Sequence, residues 1–278
     1  MEWATFQFLL PAIAATLIIA GVHAYLGLHV VERGIIFVDL SLAQIASLGA
    51  AVGVWQGYDP HEPAIYWMSL AATLIGAFVF AMIKGHEANI PQEAIIGISY
   101  AVASAAVILA MSKATGEAEH LKDMLVGNIL SVQWPEVWVT GAIYAAIGIF
   151  HWIFRQRFLE ISIDPRGVAA RGVPVRFWDF LFYASFGLVV TRSVAIAGVL
   201  LVFCYLIVPS VGAMLYGRTV GSRLAIGWVM GILVSILGMY FSVLLDLPTG
   251  ATIVCTFGLV LIVMASVRPL IRRAQSVS

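Results

Sequence analysis

Charge is what this chain is shortest of. Of its 278 residues, 11% are Asp, Glu, Lys or Arg, against about a quarter in a soluble domain. That scarcity excludes a water-soluble globule, because too little polar surface exists to cover the apolar remainder. The charges that are present cancel, fifteen basic against fifteen acidic, so net charge points to neither a nucleic-acid nor an anionic partner, and no nucleic acid is expected. Lysine is rarer still, at positions 84, 113 and 122. None of the three follows a glycine, as the Walker loop requires, so any use of ATP falls to another chain. Both cysteines, Cys204 and Cys255, sit inside apolar runs without metal-finger spacing, which argues against a disulfide framework or a zinc finger. HExxH, GxSxG and paired intramembrane carboxylates are all missing, and with them the signatures of an intramembrane enzyme. No basic segment precedes the first apolar run, since the chain opens Met1-Glu2-Trp3. That run therefore reads as a retained helix rather than a cleaved signal.

Apolar residues are what remain: 62% of the chain is hydrophobic and the mean hydropathy is +0.99. A lipid bilayer is the natural solvent for such a chain, at about 20 apolar residues per helical crossing. Windows of that length fall near 5–28, 34–56, 64–83, 94–112, 135–154, 177–191, 195–216, 223–245 and 249–267. The expectation is an all-α, polytopic transmembrane helix bundle, one domain over 1–278, with about nine helices. The count is eight if the sixth or seventh is short or re-entrant, because only Thr191-Arg192-Ser193-Val194 separates them. With nine helices and the C-terminus inside, twelve Lys and Arg residues face the cytoplasm and three face out. The positive-inside rule therefore orients the chain N-out, C-in.

Two connections exceed simple turns. Residues 113–134 form an outer loop with an amphipathic piece, read as a lip over the bundle. Residues 155–176 are cytoplasmic. Within them Asp164-Pro165 caps a short helix that runs to about Ala170, where Gly172 and Pro174 stop it. A short basic helix there is either a docking element for a soluble partner or a solvated loop. Glycines spaced by four, Gly49, Gly53 and Gly57, then Gly227 and Gly231, mark close helix packing.

Ionisable groups at membrane depth default to pathway or ligand roles. Asp39 lies well inside the second window, and His23 occupies a similar depth in the first. A turn at about 29–33 between them lets the two face each other. Carboxylate and imidazole together suit Zn²⁺, Mn²⁺ or Fe²⁺; the alternative is an Asp–His hydrogen bond that fixes packing. Gln44 stands roughly 140° around the helix from Asp39 and reaches the same cavity only from its edge. His29 and Glu32 read as solvated, and His151 as snorkelling to the interface. His61, Glu62 and His120 belong to outer loops, where His61 is a candidate at a cation's entrance. Asp246 is a second such candidate, and also a cap for the helix that follows it.

Several segments in order resemble one family. They are Val30–Gly34 with Phe37–Asp39 ("GDALSHAVLPG" in the family), Gln92–Ile98 ("EDTAIGI"), Lys122–Leu130 ("DLLFGSLL"), Ile163–Pro174 ("FDPEFARALGLPV"), Val199–Pro209 and Leu245–Gly250. The set is similar to the membrane permeases of ABC-type importers for zinc, manganese and iron. That resemblance implies a dimer of permease chains, two cytoplasmic ATPase chains and an extracytoplasmic metal-binding protein, in a bacterial inner membrane. It implies a divalent metal as cargo rather than a resident cofactor. It further implies that 160–174 holds the coupling helix, with Asp164, Pro165, Arg166, Ala169, Ala170 and Gly172 meeting the ATPase, and that Asp39 is the acidic metal-site residue. The family histidine four residues beyond is replaced by Ala43, and His23 is read as its substitute, which favours Mn²⁺ or Fe²⁺ over zinc. Iron-chelate and cobalamin-type permeases share the coupling segment and the Ile207-Val208-Pro209 turn and stay as an alternative. A proton-coupled secondary transporter, with Asp39 and His23 as relay, would show inverted repeats, and no convincing internal repeat is found.

Overall fold

A computed structural model describes residues 3–59, 62–83, 91–112 and 129–277. Eleven α-helices account for nearly all of these: α1 (Trp3–Arg33), α2 (Val38–Trp55), α3 (Pro63–Ile83), α4 (Gln92–Met111), α5 (Trp134–Ile153), α6 (Arg155–Ile163), α7 (Pro165–Ala170), α8 (Val175–Ala197), α9 (Val199–Tyr216), α10 (Val220–Leu245) and α11 (Thr249–Val277). Nine of them are long and apolar enough to cross a bilayer, and no strand occurs among the described residues. Helices are the expected outcome in lipid, where every backbone N–H and C=O must be satisfied within its own segment. Large apolar side chains stay exposed along the spans, among them Ile75, Leu109, Trp138 and Leu259, each at least 66% exposed. Such surface is tolerable against acyl chains and not against water.

Local chemistry sets the helix ends. Glu136 accepts from the Gln133 N–H at 3.0 Å ahead of α5. Thr219 and Ser222 form a reciprocal capping box at the start of α10. The expected break between the sixth and seventh spans is not at 191–194. Helix α8 runs straight through those residues, and the chain turns at Gly198, whose φ of +77° suits only a residue without Cβ. Both flanking helices reach spanning length, so neither is short. The expected turn at 29–33 is helical as well, and the turn falls at 34–37.

The chain divides into two compact units. One comprises 1–31, 126–145 and 196–278; the other comprises 32–125 and 146–195. In the first, α9, α10 and α11 pack against one another. Its Gly227 and Gly231 bring α10 onto α1, with a notional Cβ 3.5 Å from Ala24 and 3.3 Å from Ala20. In the second, α2 packs on α3 and α4. There a Cβ on Gly49 would stand 2.6 Å from the Met68 carbonyl oxygen, so this glycine is what lets α2 and α3 approach. Gly57, the third of that series, lies past the end of α2 at φ +96° and serves the turn.

Candidate metal-passage site

Asp39 sits in the first turn of α2, where the unsatisfied N–H groups of a helix favour negative charge. The turn that delivers it is fixed from another helix. Glu93, in the first turn of α4, accepts the Ile36 N–H at 3.1 Å and the Phe37 N–H at 3.2 Å. These two N–H groups belong to the cap residue Phe37 and the residue before it, and Phe37 itself supplies no side-chain cap to the helix. Asp39 itself is 1% exposed, and neither carboxylate oxygen has a hydrogen-bond partner. Burying an unpartnered carboxylate as an ion is among the more costly things a fold can do, and such a group is neutralised either by a proton or by a counter-charge. Ser41, two residues on, is fully buried with its hydroxyl likewise unpartnered. Sequence reasoning missed it, since a serine in an apolar helix ordinarily bonds back to its own backbone. Gln44 is also buried, and position 43, one turn past Asp39, holds a buried alanine.

His23 belongs to the other unit and to α1. Its Nδ1 lies 2.8 Å from the Ile19 carbonyl oxygen. A carbonyl only accepts, so Nδ1 carries the proton and Nε2 keeps its lone pair. That Nε2 is buried without a partner, which is the arrangement of a preset imidazole ligand. No group of three or more His, Cys, Asp or Glu side chains converges as a metal cage among the described residues.

Other sequence expectations change. His29 is 2% exposed rather than solvated, and His151 is 1% exposed rather than snorkelling. His151 Nε2 lies 2.8 Å from the Ser185 hydroxyl, and its ring stacks on Phe158 at 4.4 Å. Asp246 does not cap the following helix. It closes α10 in the left-handed conformation, at φ +53°, and its N–H donates to the Ser242 carbonyl. His61 and His120 lie outside the described residues, as do 113–128 of the outer loop.

The short helix α7 forms where the residues place it. Asp164 caps it by accepting the Gly167 N–H at 2.9 Å, Pro165 takes the first position, and Gly172 follows its end at φ +79°. Arg166, Ala169 and Ala170 are exposed, while Val168 is buried and anchors the helix. Arg171 bonds Glu160 at 3.1 Å across the connection.

The deepest ionic contact is one that sequence reasoning did not single out. Arg33, the last residue of α1, donates from Nη1 to Asp179 Oδ1 at 2.6 Å and from Nε to the Ser162 hydroxyl at 2.9 Å. Its guanidinium lies 4.0 Å above the Phe182 ring, and the two charged side chains are 2% and 0% exposed. A lone aspartate five residues into the apolar helix α8 was the available signal.

Residues 5–268 match the model of the ABC 3 transport family. The chain belongs to that family. The manganese transport system membrane protein MntC of Halalkalibacterium halodurans is 24% identical over 250 residues, 90% of this chain and 84% of that one. The manganese import system permease protein ScaB of Streptococcus gordonii is 25% identical over 266 residues, 95% and 92% of the two chains. Among solved structures, PsaBC from Streptococcus pneumoniae in complex with Fab superposes with a TM-score of 0.77 at 26% identity, covering 92% of this chain and 90% of that one. The ABC 3 chain is thus a multi-pass membrane permease of a metal transport family.

Proposed function

We propose that this permease carries Mn²⁺ into the cytoplasm as the membrane subunit of an ATP-driven importer. The observation that carries the reading is Asp39, a buried carboxylate with both oxygens unpartnered, in a chain whose relatives are named for manganese transport. A divalent cation that has shed part of its water recovers the lost solvation from such a carboxylate. His23 Nε2 offers one nitrogen donor along the route, and Gln44 a weak neutral one. A donor supply rich in oxygen and poor in nitrogen suits Mn²⁺ better than Zn²⁺.

In this reading the chain lies N-out, C-in in a bacterial inner membrane and works as a homodimer. A binding protein delivers the cation outside, where His61 and Asp246 are the expected entrance residues. Two ATPase chains press on α7, whose exposed Arg166, Ala169 and Ala170 form the contact and whose Asp164, Pro165 and Gly172 keep it folded. The chain's own residues bind and release, and hydrolysis stays with the partner.

The test is uptake into vesicles holding the permease, its ATPase and its binding protein, with Mn²⁺, Zn²⁺ and Fe²⁺ compared with and without ATP. ATP-dependent Mn²⁺ uptake that Asp39→Asn abolishes in a folded complex is the expected result. Uptake that ignores ATP and follows a proton gradient overturns it.

A further inference from the structure

Arg33 ties its own chain segment to two side chains that lie far from it in the sequence. Asp179 belongs to α8. Ser162 is the penultimate residue of α6, two positions ahead of the Asp164 that caps α7. On its own chain, Gly34 follows at φ +67°, then the turn 35–37, then Asp39. Glu93 pins that turn by two N–H bonds. The cap of α7 and Asp39 are therefore joined by two short stretches of chain, 162–164 and 33–39, and by the Arg33–Ser162 hydrogen bond between them. All of it lies within one compact unit.

The chemistry of the node argues for stiffness rather than mere packing. A guanidinium is planar and presents its donors in fixed directions. Here one edge is committed to Asp179 and Nε to Ser162, while Phe182 covers a face. With both ions shut away from water, rotation of Arg33 would strand a buried charge, which the fold resists strongly. Ser162 is held in turn, because its hydroxyl donates to the Phe158 carbonyl at 2.7 Å while accepting from Arg33. A displacement of the α6–α7 segment thus has one polar handle on the segment that carries Asp39.

We propose that Arg33 is the positioning residue that ties α7 to the first turn of α2, so that a push on α7 moves Asp39. The inference rests on the reading above that α7 receives the ATPase. It assigns Ser162 as the acceptor through which the push arrives and Asp179 as the anchor that keeps Arg33 charged and aimed.

The experiment compares wild type, Ser162→Ala, Ser162→Thr and Arg33→Lys in the complete complex in vesicles. It measures Mn²⁺ ions imported per ATP hydrolysed. Ser162→Ala removes the hydroxyl that accepts from Arg33 and donates to the Phe158 carbonyl, and leaves both members of the Arg33–Asp179 pair in place. Arg33→Lys keeps the charge for Asp179 and loses the Nε donor. Each is expected to lower the ratio by roughly 2- to 30-fold, the range for residues that couple distant sites. Ser162→Thr, which restores a hydroxyl, is expected to recover it. Amide hydrogen exchange on the same samples gives a readout that needs no transport. Ser162→Ala should speed exchange over 36–42 and 163–170 together, and Ser162→Thr should reverse both. An unchanged import ratio in Ser162→Ala and Arg33→Lys overturns the proposal. So does faster exchange in one segment alone. If wild type shows no ATP-dependent Mn²⁺ uptake, the importer reading falls instead, and the exchange measurement still decides whether the tie exists.

Discussion

Two buried aspartates in one compact unit meet opposite treatment. Asp179 is fully buried against Arg33, at 2.6 Å, and the guanidinium in turn lies over the Phe182 ring. Asp39 is equally buried and has neither a cation nor a hydrogen-bond partner. Each costs desolvation; only one has its compensation inside the chain. The fold supplies an arginine for one carboxylate and no side-chain partner for the other, and that difference is what motivates the proposal of Asp39 as a cargo ligand. Burial alone would not distinguish them, and neither would depth in the membrane.

The contrast can be broken from either side. Asp39→Asn should cut Mn²⁺ import by at least roughly 100-fold, beyond the usual loss for an outer-shell partner of a metal. It should leave unfolding in detergent unchanged or shifted to higher denaturant, since it removes an uncompensated charge. A clear loss of stability would return Asp39 to a packing role. Asp179→Ala should do the reverse and destabilise by about 3–5 kcal/mol, because Arg33 is left buried and alone. Denaturant titration reads this. The double change Arg33→Met with Asp179→Leu should recover most of that loss, since an apolar pair of similar volume replaces a buried ion pair at little cost. Gly49→Ala probes the scaffold under Asp39 and spares Asp179. Its new methyl group meets the Met68 carbonyl, and overpacking of this kind costs about 1–3 kcal/mol, with import falling as α2 is displaced. The smallest effect is expected at Asp164→Ala, which removes one cap worth about 1 kcal/mol. Its consequence should show in weaker co-purification of the ATPase rather than in global unfolding.

How much of this was legible depended on how local the signal is. The spans follow from apolar run length, and α7 follows from Asp164-Pro165 before it and Gly172 after it, all within nine residues. The break between α8 and α9 was misread because Thr191, Arg192 and Ser193 look like a polar interruption. Inside the unit Thr191 has a partner instead: its hydroxyl lies 3.0 Å from that of Thr73. A paired hydroxyl does not interrupt a helix. Asp39 and His23 stood out because charge and imidazole are expensive at depth. That both Asp39 oxygens and His23 Nε2 lack partners needed coordinates, because partners come from anywhere in the chain. The Arg33–Asp179 pair joins residues 146 positions apart, and Arg33 passed for an ordinary positive-inside residue. His29 and His151 were misplaced for the same reason. Proximity to a helix end suggested water, and the tertiary neighbours supply shelter.

The six-residue helix α7 divides its labour cleanly between residues that hold it and residues that it shows. Asp164 and Val168 secure its shape from behind, while Arg166, Ala169 and Ala170 face outward with no structural duty of their own. Such a patch is open to revision. On the proposed reading, substitutions at the three displayed positions would alter which motor docks without disturbing the contacts that fold the membrane part, much as a key blank is recut while its bow stays the same.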